Sequence, residues 1–375
     1  MANKFTNEYL EELRSLSLIE KIYSSKTRII EWYQYFNGNV YVSFSGGKDS
    51  TVLLHLVRSI FPEVPAVFFN TGLEFPELVN FVKEKDNINI LKPEKSFYQV
   101  ITKYGYPLIT KKISEYIRQA RRIVHKGESR YPTQRRLALL GKEPNHSIKD
   151  MAIEDFNQLE KNELSAFNIK KWLPIARELP VMISEQCCNE MKKKVAKKYT
   201  KENFSHPYVG NLTEESRNRK MTWFKNGCNA YEGKEPVSTP LAFWTEQDIL
   251  QYIYENKIDI ASVYGEVKKE NEKYLCSGYT RTGCIFCAFG THLEKDETRF
   301  QLLAKTHPKL YDYCIKGGKW IDNPKYEPDA SMEPDELGWI NWNPKKIYIP
   351  GNGGLGFGKV FDMCNDIMGE EIYRY

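Results

Sequence analysis

The stretch VYVSFSGGKDSTVLLHLV, residues 40–57, decides the fold. An apolar run stops at Ser45, crosses two adjacent glycines, a lysine and an aspartate, and resumes with apolar residues at helical spacing. The pattern predicts strand, tight turn, helix. It is not a Walker A loop, which needs four residues between its glycines and a Ser or Thr after the lysine. The physics is related all the same. Glycines let backbone N–H groups approach an oxyanion, and the following helix presents its positive end. Lys48 adds a point charge for phosphate. Asp49 offers oxygen to Mg²⁺, and Ser45 and Ser50 offer hydroxyls. The plain alternative is a glycine turn capped by Asp49 or Ser50.

Working outward, NVYVSF (39–44) and PAVFFN (65–70) read as short buried strands with a helix over 49–61 between them. A helix near 76–85 and a third strand at NINILK (87–92) extend this βαβ pattern. Residues 6–36 read as amphipathic helix through Leu10, Leu13, Leu16, Leu18 and Ile19. HPYVGNL (206–212) and VSTPL (237–241) return to strand or turn character. TEQDILQYIYENK (245–257) is a helix with Thr245 as its N-cap. PGNGGLGFGK (350–359) reads as a flexible or tight-turning loop.

Four segments resemble one family, in its order. SFSGGKDSTVLLHL resembles the pyrophosphate loop of the N-type ATP pyrophosphatases, the adenine-nucleotide alpha-hydrolase-like group that includes the phosphoadenosine phosphosulfate (PAPS) reductase family. FFNTGLEFPE (68–77) is similar to a DTGxxFPE segment, with Asn70 where aspartate is commoner. VGNLTEESRNRK (209–220) resembles a GxRxxES..R segment, with Leu212 where arginine is usual. PLAFWTEQDILQYI (240–253) resembles a P-L-x-x-W-T/S-x-x-D segment.

The resemblance implies an α/β fold with a doubly wound parallel sheet and a nucleotide at the carboxyl ends of its strands, as in open α/β sheets generally. It implies a nucleotide-binding domain over 1–240, a basic helical insertion at about 105–180, and an irregular C-terminal region over 241–375. It places an adenine nucleotide, ATP with Mg²⁺, on Ser43, Ser45, Gly46, Gly47, Lys48, Asp49, Ser50, Asn70, Thr71, Gly72, Gly210, Glu215 and Ser216, with Lys48 and Asp49 catalytic.

Cysteine spacing carries the second signal. Cys187 and Cys188 are adjacent, and Cys284 and Cys287 form a C-x-x-C pair. Zinc sites normally use paired spacings, whereas four thiolates suit a cubane iron–sulfur cluster. Adjacent helical residues diverge by about 100°, so neighbours at a helix start reach different corners of a bulky cluster. The set is similar to the 4Fe–4S ligands of adenylyl-sulfate reductases in the same family. Zinc on the C-x-x-C pair with Cys276 and another ligand is the alternative, and His292 and His307 lie nearby. Cys314 sits at helical spacing and reads as core. Cys276 reads as a spare ligand or sulfur carrier, Cys228 and Cys364 carry no signal, and His55 reads as structural.

An intact Lys48–Asp49 loop resembles family members that cleave ATP between its α and β phosphates. The sulfonucleotide reductases end in a segment of the type ECGLH, whereas this sequence ends DIMGEEIYRY. The expectation is adenylation of an acceptor with pyrophosphate release, then sulfur transfer. A sulfur donor such as a cysteine desulfurase is the expected partner. Reductive release of sulfite and a non-catalytic nucleotide-sensing or nucleic-acid-binding module are the alternatives. Arg118, Arg121, Arg122, Lys126, Arg130, Arg135 and Arg136, with Tyr116 and Tyr131, suit a tRNA or DNA acceptor, as do Lys192, Lys193, Lys194, Lys197 and Lys198. A solvated helix face explains either run equally well. The first twenty residues lack a secretory apolar core, no run approaches the roughly 20 apolar residues of a membrane helix, and a cytoplasmic protein is expected.

Overall fold

The computed structural model describes residues 4–121, 169–233, 235–328 and 340–375. β1, Val40–Ser43, lies inside a six-stranded sheet of order β3-β2-β1-β4-β6-β5. β2 (Ala66–Phe69) and β4 (His206–Val209) flank it in parallel, with Ser43 opposite Val67 on one side and Val209 on the other. β3 (Ile88–Leu91) pairs with β2, and β6 (Val237–Ser238) with β4, both in parallel. Only the edge strand β5 (Asn229–Ala230) runs antiparallel. Val40, Tyr41, Val42, Ala66, Val67 and Phe68 are all buried, which is why both strands read as continuous apolar runs.

The chain runs outward from β1 through β2 to β3, then returns to the other side of β1 for β4. That reversal is a topological switch point, the place where open α/β sheets bind ligands beyond the carboxyl ends of their strands. The molecule is therefore mixed α/β with a mostly parallel central sheet.

The expected single helix over 6–36 is two helices, Asn7–Ser15 and Leu18–Tyr35. The break has a local cause. Ser17 caps the second helix through the Glu20 backbone, and the Glu20 side chain bonds back to Ser17, so S-x-x-E restarts the helix. The helix Glu246–Asn256 starts as predicted, with Thr245 and Asp248 in a reciprocal cap. Asp248 also takes two bonds from Lys21 Nζ, at 2.8 and 2.9 Å, which tie this helix to Leu18–Tyr35. Trp244 donates to Ser25 Oγ, and Ser25 donates to the Pro240 carbonyl, 2.9 Å each.

Two compact units interleave along the chain: residues 1–94 with 191–284, which hold the sheet, and residues 95–190 with 285–375. Residues 240 and 241 both fall inside the first. The second unit gathers helices Phe97–Tyr104, Lys111–Ala120, Leu173–Glu178, Arg299–Thr306, Pro308–Ile315 and Phe357–Met368. Its core contains Phe300, Phe357, Phe361 and Tyr373. Arg121 is buried here, donating to the carbonyls of Ile175, Ala176, Leu179 and Val181 at 2.6–3.0 Å and stacking on Trp342. It is a structural clamp, not a surface cation. Cys314 is fully buried, as its spacing predicts. The expected loop at 350–359 is a glycine turn only as far as Gly356, because Phe357 already begins a helix. Arg122, Lys126, Arg130, Tyr131, Arg135 and Arg136 lie outside the described residues.

Candidate nucleotide site

The turn after β1 is shaped by its glycines. Gly46 has φ +74°, and a Cβ there would meet Val82 Cγ2 at 2.9 Å. Gly47 caps the helix Lys48–Arg58 without any side-chain bond, so the alternative of a turn capped by Asp49 or Ser50 is not what the structure shows. Ser50 Oγ instead donates to the Gly47 carbonyl at 2.9 Å, accepts from Ser45 N–H at 3.2 Å, and lies 3.0 Å from Ser45 Oγ. Gly47 N–H donates to Ser45 Oγ at 3.3 Å. The helix start carries no side-chain cap, and helix N-termini favour anions.

Lys48 is buried at this helix start. Its ammonium lies 3.2 Å from Asp49 and 3.1 Å from Glu246. Burial alone would lower its pKa, but the two carboxylates outweigh it and hold the group above its ordinary value. Lys48 is a cation at neutral pH. Its backbone N–H points to Tyr264 Oη at 3.4 Å, and Tyr264 Oη is hydrogen-bonded to Thr282 Oγ1. Cys276, half-buried, is pushed up by burial and eased down by the Lys48 charge.

The neighbouring strand ends complete the candidate site. After β2, Asn70 Oδ1 accepts from Gly72 N–H at 3.1 Å, and Thr71 donates to Glu74 at 2.8 Å. Lys192 pairs with Glu74 at 3.3 Å. Burial would lower Lys192, but Cys284 and Glu74 hold it raised. After β4, a Cβ on Gly210 would meet the Asp49 carbonyl oxygen at 3.1 Å, so this strand end lies close against the loop and a side chain there would have to push it back. Leu212 is buried and carries no charge to the site. Glu215 pairs with Arg219 and, at 3.3 Å, with Arg281. Burial and the repulsion of Arg281 lower the Arg219 pKa, opposed by Asp49. Ser216 Oγ accepts from Arg219 N–H and so caps the helix Arg217–Asn226.

The first unit therefore holds Ser43, Ser45, Gly46, Gly47, Lys48, Asp49, Ser50, Asn70, Thr71, Gly72, Gly210, Glu215 and Ser216 at the carboxyl ends of its strands. Sequence reasoning missed Glu246, Tyr264, Thr282 and Arg281. The segment TRTG before Cys284, polar beside an otherwise mixed run, was the available hint.

Cys187, Cys188 and Cys287 belong to the second unit, and Cys284 ends the first. Cys187 and Cys188 open a helical stretch that passes through a π-turn, Asn189–Lys193, into the helix Lys194–Asn203. The eight cysteines form no disulfide with one another. Among the described residues no three His, Cys, Asp or Glu side chains gather in a position to hold one metal ion. His292 packs edge-on to Trp172, and His55 bonds Tyr252 Oη at 2.9 Å. In the second basic run, Lys192 and Lys197 are ion-paired with Glu74 and Glu235. No helix among the described residues is long and apolar enough to cross a membrane.

The family model of the phosphoadenosine phosphosulfate reductase domain matches residues 39–172 and 151–289. A phosphoadenosine 5'-phosphosulfate reductase of Buchnera aphidicola is 39% identical over 19% of this chain and 29% of its own length. Subunit 2 of the sulfate adenylyltransferase of Shewanella frigidimarina is 24% identical over 67% of this chain and 68% of its own. The curated reductases that match are each covered over 29 to 39% of their length. A solved phosphoadenylyl-sulfate reductase of Candida auris, in complex with phosphate, aligns with 70% of this chain and 92% of its own at 14% identity and a TM-score of 0.33.

Proposed function

The chain belongs to the phosphoadenosine phosphosulfate reductase domain family, and from that premise we propose an enzyme of adenine-nucleotide sulfur chemistry, whose phosphate cradle is Ser45–Ser50. The observation that carries this reading is the buried, charged Lys48 at an uncapped helix start, with Asp49 beside it and Gly210 against the loop. The loop N–H groups and the Lys48 ammonium bind the polyphosphate tail of ATP. Asp49 is the carboxylate that would hold Mg²⁺, which binds such sites through one or two carboxylates plus phosphate oxygens. Asn70, Thr71 and Gly72 border the nucleotide from the β2 side.

The reaction proposed is adenylation. An acceptor oxygen attacks the α-phosphorus, and the bond to the α,β-bridging oxygen breaks. Pyrophosphate leaves with the electron pair, and the acceptor proton passes to solvent. The loop's work is positioning and charge stabilisation of the leaving group. A sulfur nucleophile delivered by a donor protein such as a cysteine desulfurase then displaces AMP from the activated acceptor. A tRNA or DNA acceptor is the class proposed.

Cys187, Cys188, Cys284 and Cys287 remain the proposed ligands of a 4Fe–4S cluster, with zinc as the alternative. Their spacing and the family resemblance support this part, and no chemical step is derived through it. Iron and sulfide analysis after anaerobic purification, beside a zinc assay, tests it: about four irons per chain would be the content of a cubane cluster.

A second reading is reduction of phosphoadenylyl sulfate to sulfite, favoured by the names of the matching curated reductases. One experiment separates the two. The protein is incubated with ATP, Mg²⁺ and nucleic-acid acceptors, and in parallel with phosphoadenylyl sulfate and thioredoxin. Pyrophosphate release supports adenylation, and sulfite without pyrophosphate replaces it with reduction. If neither product forms while the Lys48→Ala protein keeps its biological effect, the chain is a non-catalytic module.

A further inference from the structure

We propose that Tyr264 and Thr282 form the outer wall of the phosphate cradle, where their hydroxyls hold the place of a phosphoryl oxygen and donate to it once it binds. The proposal rests on the reading of Ser45–Ser50 as a polyphosphate site and adds two ligands from a distant segment.

Three observations carry it. First, Lys48 N–H, a donor that such a loop would offer to phosphate, is given to Tyr264 Oη at 3.4 Å. A long bond to a neutral phenol exchanges readily for a charge-assisted bond to an acceptor-only phosphate oxygen. Second, three hydroxyls converge on the bare α-carbon of Gly47. A Cβ there would lie 3.2 Å from Ser45 Oγ, 3.2 Å from Tyr264 Oη and 3.8 Å from Thr282 Oγ1. Third, the Tyr264–Thr282 pair holds two O–H hydrogens and one mutual bond consumes only one. Among the described residues no other hydrogen bond of either hydroxyl takes up the second.

The wall is built rather than incidental. Tyr264 ends the short turn Ser262–Tyr264, and its carbonyl accepts from Gly278 N–H at 2.9 Å. Val263 accepts from Tyr279 N–H at 2.9 Å, and Glu266 from Ser277 N–H at 3.0 Å. Gly265, at φ +66°, has no room for a Cβ against Ser277. This ladder fixes the phenol over the loop and carries the chain on to Thr282. Burial raises the Tyr264 pKa, so the phenol keeps its proton at neutral pH and can donate.

The test is calorimetric titration of the full-length chain with three probes: α,β-methylene ATP with Mg²⁺, inorganic pyrophosphate with Mg²⁺, and adenosine. Tyr264→Phe keeps the ring and Thr282→Val keeps the shape. Each should weaken the first two probes at least about tenfold, the scale of one lost hydrogen bond to a charged group, and leave adenosine unchanged. A merely structural role would lower the unfolding midpoint without that split between probes. Unchanged or tighter pyrophosphate binding by both variants overturns the proposal while leaving the nucleotide reading intact. If the unaltered protein binds neither phosphate probe, both readings fall together.

Discussion

Lys48 Nζ lies 3.1 Å from Glu246 Oε1, so the loop cation is shared with the first residue of the helix Glu246–Asn256 as well as with Asp49. An incoming phosphate must compete with both carboxylates for this ammonium. Because Glu246 is partly exposed, the competing pair is worth at most about 1 kcal/mol. Glu246→Gln should therefore tighten ATP binding about two- to fivefold. The gain should shrink as salt screens the pair. Titrations at low and high ionic strength check this, and weaker binding by the variant would count against a competing role.

Gly210→Ala should damage the site without touching a charge. The added methyl would sit 3.1 Å from the Asp49 carbonyl and 3.2 Å from Ser50 N, forcing the loop away from the end of β4. Overpacking of this kind costs about 1–3 kcal/mol. Urea unfolding should register that loss, and ATP affinity should fall with it. A variant of full affinity would mean that the loop tolerates displacement.

The Lys21–Asp248 pair predicts a stability effect at a distance from the loop. Its side chains are only 4% and 13% exposed, and Asp248 also caps its helix. Removing one partner of a buried pair leaves the other charge uncompensated, at about 3–5 kcal/mol. Lys21→Met should lower stability on that scale in urea. A loss below about 1 kcal/mol would place the pair among surface ion pairs.

In the second unit, Arg118 makes two bonds to Glu185, at 2.8 and 2.9 Å. Burial would raise the Glu185 pKa, but the bonds and charge of Arg118 outweigh it and the carboxyl titrates below its usual range. A depressed carboxyl contributes stability that is complete above the unfolded value of about 4.3 and fades as pH falls through the folded one. The stability gap between the unaltered protein and Arg118→Met should be flat near neutrality and close below about pH 4. A gap that persists there would assign Arg118 a packing role instead.

The parts visible in the sequence are those that local physics specifies. The SGGKDS turn needs glycine where φ is positive, and it sits between a strand buried at Val40, Tyr41 and Val42 and a helix with buried Val52, Leu53, Leu56 and Val57. Thr245 and Asp248 announce their helix through cap spacing alone. Ser17 and Glu20 carry the same signal, yet the longer 6–36 periodicity obscured it. What stayed hidden depends on contacts between distant segments. Tyr264 and Thr282 come from a turn and a loop with no period of their own. Arg281 reaches Glu215 across the fold, beyond the reach of a spacing argument. The cysteines carry a spacing signal of a different kind, whose content is decided by metal analysis.

Equilibrium binding of ATP with Mg²⁺ to the unaltered protein and to Lys48→Met tests the central claim most directly, with circular dichroism confirming that both are folded. The expected result is one saturable site whose affinity drops at least about tenfold in the variant, the loss of a charge-assisted contact. Equal affinity in the two proteins, or no binding by the unaltered one, would contradict the assignment of Ser45–Ser50 as the phosphate cradle.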